Sequence, residues 1–130
     1  MKARNCLFLI AAFYVASLVL PAIRLIPDDP TDTGIIGIFC LISVPYVCLH
    51  PAWWANVFLL VGSIRLVRDD PRRANKMGMI ATGLALSFLP YMGLRSVLPG
   101  SLAWIASSVT LAAAGFGLSE THDPRPAPSV

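Results

Sequence analysis

Cysteine, histidine and aspartate are the residue types here that hold metals or do acid–base chemistry. Cys40, Cys48 and His50 fall within eleven residues of one another. On a helix Cys40 and Cys48 would be about 12 Å apart by rise, too far to share one ion. The only other histidine, His122, sits near the C-terminus. Asp28, Asp29 and Asp32 crowd one loop, but the alternating ligands and distant glutamate of a calcium loop are missing. Turn and helix-capping roles suit these aspartates better. No metal or cofactor site is expected. There is no Ser/His/Asp set, no paired carboxylate in an apolar segment, no glycine-rich phosphate loop and no HExxH, so no catalytic residue is assigned and an enzyme is not expected.

Two polar features remain. Arg65, Arg68, Arg72, Arg73 and Lys76 hold five of the ten Lys and Arg residues. A cluster of this kind orients a membrane protein, and it suits contact with anionic lipid headgroups. Asp69 and Asp70 interrupt it and no aromatic is interleaved for base stacking, so nucleic acid is not an expected partner. Asn56 is the other feature, a carboxamide inside an apolar run. In hydrocarbon an unpaired amide costs several kcal/mol. An interhelical polar contact is expected there, and a leucine should substitute for it.

The elements that carry these residues are set by composition. Of 130 residues 56% are hydrophobic and 13% charged, with net charge +3. Mean hydropathy is +0.70. Soluble domains average about 25% charged residues. Lipid is therefore the expected solvent, and a disordered chain, a disulfide-stapled domain and an ordinary cytosolic enzyme are excluded. The three cysteines lie in apolar runs and give no disulfide framework.

Five apolar segments span residues 6–23, 34–49, 52–67, 77–94 and 100–118. They lack the alternation of barrel strands, and a helix satisfies its own backbone in hydrocarbon. The expected fold is all-α: residues 1–118 form an integral membrane bundle of five hydrophobic helices, with four or five crossings. Residues 119–130, with three prolines, form a disordered tail. Lys2 and Arg4 precede the first segment, which is expected to stay as an uncleaved helix.

Lys and Arg favour the cytoplasmic side. Five crossings with the N-terminus outside put seven basic residues inside and three outside. Four crossings, with 34–49 entering and leaving on one side, put eight inside and two outside. In both, the 65–76 loop is cytoplasmic, and the location is the inner or plasma membrane.

Trp53-Trp54-Ala55-Asn56 opens the third segment, and Leu84-Ala85-Leu86-Ser87-Phe88 lies in the fourth. These motifs resemble a group of small bacterial multi-pass membrane proteins in which Trp-x-Ala-Asn-Pro opens a spanning helix. Val57 stands where that proline is usual. The resemblance covers about residues 35–118 and implies a multi-pass membrane fold without an activity.

Small residues at Ala106, Thr110 and Ala114, beside Ala103 and Ser107, and at Gly78/Thr82 and Ala81/Ala85 suit close helix packing or an oligomer contact. The segment interiors hold no Asp, Glu, Lys or His, which argues against a coupled transporter. The leading expectation is a non-enzymatic structural or accessory component of a membrane complex. Its partners are the bilayer and a membrane protein or second copy. A small channel or transporter subunit is the alternative.

Overall fold

A computed structural model describes residues 3–23, 34–38, 51–87, 89–92 and 97–121. In chain order the elements are α1 (Ala3–Val19), β1 (Pro21–Ile23), β2 (Ile35–Ile36), α2 (Pro51–Val67), α3 (Pro71–Leu86), the single turn α4 (Leu89–Met92) and α5 (Pro99–Thr121). The architecture is helical, with one two-stranded antiparallel pairing.

Proline sets most of the boundaries. Pro21 has no N–H to continue α1, so the helix stops at Val19 and the chain turns extended. The segment 6–23 is therefore not helical throughout. Segment 34–49 departs further, because Ile35–Ile36 pairs with β1 in the register Pro21↔Ile36 and Ile23↔Ile35. Residues 39–49 of that segment lie outside the described residues. Pro71 occupies the first turn of α3, where a missing N–H costs nothing. Residues 71–76, read from sequence as part of a polar turn, are thus the start of α3. The segment 77–94 is broken after Leu86, with Ser87 as the C-cap. The last helix extends to Thr121, so residues 119–121 are helical rather than disordered. The tail beyond them, 122–130, is outside the described residues.

The turn between α2 and α3 is compact. Asp69 takes a left-handed φ of 54°. Asp70 N–H donates to Arg65 O at 3.0 Å, and Asp69 N–H to Leu66 O at 3.4 Å. These two bonds are the Schellman pattern, which satisfies the last carbonyls of α2. Asp70 then caps α3: its Oδ1 accepts from Arg73 N–H at 3.3 Å.

α2 packs on α3, α3 on α5 and α5 on α1, with lighter contacts from α2 to α5 and to α1. Ala3, Leu66, Asp69, Pro71 and Leu118 line one small crevice. The start of α1, the α2–α3 turn and the end of α5 therefore share one end of the bundle. At the other end Ser101 Oγ donates to Ala22 O at 2.6 Å. Val97 bridges Ile23, and Gly37 N–H donates to Leu20 O at 3.2 Å. Helices α1 and α3 thus run one way and α2 and α5 the other, and Ile23 and Pro51 lie at the same end.

The interior combines Ile10, Leu59, Leu66 and Leu111 with many small side chains. Ala74, Ala81, Ala85 and Ser107 are fully buried. Ser107 and Ser108 spend their hydroxyls on Trp104 O and Ile105 O of their own helix. A Cβ on Gly78 would come within 2.5 Å of Ala112 N, so the α3 and α5 backbones nearly touch there. The exterior carries the bulk: Phe8 is 73% exposed, Val19 68%, Leu60 63%, Met79 63% and Phe116 57%.

Among the described residues one helix, over Pro99–Glu120, is long and apolar enough to cross a membrane. This differs from the five spanning helices expected from sequence. Ala3–Val19 and Trp53–Val67 are apolar but shorter. Prolines cut the helices near 17 residues, about 25 Å, at the short limit for crossing. The first six residues of α3 include Arg72, Arg73, Asn75 and Lys76, which lowers that helix's apolar character.

Candidate functional site

The basic cluster is distributed over two helix ends. Arg65 is half-buried in the last turn of α2, where a cation complements the helix dipole. Arg68 is exposed in the turn, and Arg72, Arg73 and Lys76 are exposed in the opening turns of α3. Cations at a helix N-terminus oppose its dipole, and the Asp70 carboxylate offsets that charge. Its Oδ2 lies 3.4 Å from Arg73 Nε, an exposed pair of small energetic value. Arg4, on the first turn of α1, adds a further exposed cation at the same end.

Asn56 lies between α2 and α5, toward the opposite end. Its Oδ1 accepts from Trp104 Nε1 at 2.9 Å, across 48 residues of chain. Its Nδ2 donates back to Trp53 O at 3.2 Å. Each half of the amide makes one hydrogen bond, so the side chain is held in place between α2 and α5. The Trp104 bond also changes the expectation for leucine at this position: an apolar side chain would leave the half-buried indole N–H without its acceptor. Trp53 and Trp54 meet edge to face, with centroids 5.7 Å apart and planes at 88°. Trp54 is exposed, and Trp53 Nε1 is buried without an acceptor among the described residues.

Sequence reasoning missed Asn75. Its Nδ2 donates to Ala112 O at 3.1 Å and links α3 to α5 beside the close approach at Gly78. The signal was available, because Asn75 and Gly78 are spaced as neighbours on one helix face. It was masked by the charges around it, which read as a loop.

The small-residue faces meet, though not in the expected register. On α3 the buried row is Ala74, Gly78, Ala81 and Ala85. On α5 it is Ser107, Ser108, Leu111, Ala114 and Gly115, while Ala103, Ala106 and Thr110 are only partly buried. Asp28, Asp29, Asp32, Cys40, Cys48, His50 and His122 lie outside the described residues. Among the described residues no three His, Cys, Asp or Glu side chains gather. Cys6 is buried beside Ile10 in the apolar core.

No protein-family model, curated protein or solved structure matches the chain. Its function has to be argued from its own residues.

Proposed function

We propose that the chain is a multi-pass protein of the inner or plasma membrane, crossing four times, and that it acts as a non-enzymatic structural or accessory component of a membrane complex. One observation carries the membrane reading: large apolar side chains face outward from every long helix. Soluble proteins bury Leu, Ile and Phe and cover themselves with charge. Here Ala74, Ala81, Ala85 and Ser107 are inside with Ile10, Leu59, Leu66 and Leu111, and the exterior is also apolar: Phe8, Val19, Leu60, Met79 and Phe116 face out from all four long helices. Lipid removes the penalty for that exterior, and small residues allow the close backbone contact that holds helices together in a bilayer.

The path of the chain supports four crossings. Ile23 and Pro51 share one end, so no net crossing separates them. The other end carries Arg4, Arg65, Arg68, Arg72, Arg73 and Lys76, and the preference of Lys and Arg for the cytoplasm makes it the inner end. The motif resemblance to small bacterial multi-pass proteins points the same way. The accessory role is supported by the close-packed helices and the apolar exterior they present to a membrane partner.

Capture of the protein in mild detergent, with identification of what co-purifies, tests the role. A stoichiometric, different membrane protein is the expected result. A strictly monomeric protein without companions contradicts the accessory role. A ring of its own copies moves the protein to the channel reading.

A further inference from the structure

We draw no further inference here: the strongest candidate, the side-chain cluster of Trp53, Asn56 and Trp104 between the starts of α2 and α5, whose Trp53 indole N–H is buried without an acceptor among the described residues, carries nothing because nothing in the structure shows what ligand or partner would accept from it.

Discussion

The two ends of the bundle are closed by different means. At the end formed by residues 20–23, 34–37 and 97–101, backbone meets backbone across long stretches of chain. Leu98 N–H reaches Ala22 O at 3.2 Å, and Ser101 Oγ reaches the same carbonyl across 79 residues. None of these residues carries charge. At the end formed by residues 65–76 the turn and capping bonds are local, within five residues, with Asp70 as the cap, while the Asn75 amide reaches Ala112 O. An uncharged end has to pair its backbone groups with one another, because an unpaired buried N–H or carbonyl is costly. A charged, wet end uses side chains and water. The first end is therefore sensitive to shape and the second to single caps.

The largest effect should come from bulk at the uncharged end. A Cβ on Gly100 would lie 2.7 Å from Leu20 O and 2.8 Å from Pro21 O, both backbone atoms that cannot swing aside. Gly100→Val should cost roughly 3 kcal/mol, the upper part of the overpacking range, read as a fall in melting temperature. Next comes Asn56→Leu, which leaves Trp104 Nε1 without its 2.9 Å acceptor. It should cost about 1.5 kcal/mol, against close to nothing for Asn56→Gln if the longer amide still reaches the indole. At the charged end Asp70→Ala should cost about 1 kcal/mol, with faster amide exchange confined to the start of α3. The smallest effect is a gain: Asp69→Gly should stabilise by about 0.5 kcal/mol, because glycine accepts the left-handed φ of 54° without strain. A larger loss from Asp70→Ala than from Gly100→Val would reverse the comparison.

The same contrast governs what could be read from the sequence. The α2–α3 turn was legible as a turn from Asp69-Asp70-Pro71, since those residue types act locally. Its exact end was not, because Arg72, Arg73, Asn75 and Lys76 look like loop residues yet lie on a helix whose cap is Asp70. The pairing of Pro21–Ile23 with Ile35–Ile36 was not legible. Apolar residues read as helix in a long apolar run, and nothing local signals a partner so far along the chain. Asn56 stood out because a lone carboxamide contrasts with its neighbours. Trp104 as its partner did not, since only the helix packing brings the two together. The buried face of α5 was offset from the expected row because Ser107 and Ser108 return their hydroxyls to their own helix and then pack as small apolar surfaces.

The central claim is that the start of α1, the α2–α3 turn and the end of α5 lie on one side of a membrane. Single cysteines at Asn5, Arg68, Pro99 and Glu120, all exposed positions, in a background lacking Cys6, Cys40 and Cys48, test it with a membrane-impermeant thiol reagent on intact cells and on opened membranes. Labelling at position 99 in intact cells, with positions 5, 68 and 120 labelled only after opening, is the predicted result. Positions 5 and 68 labelling from opposite sides would mean an odd number of crossings between them and would contradict the account.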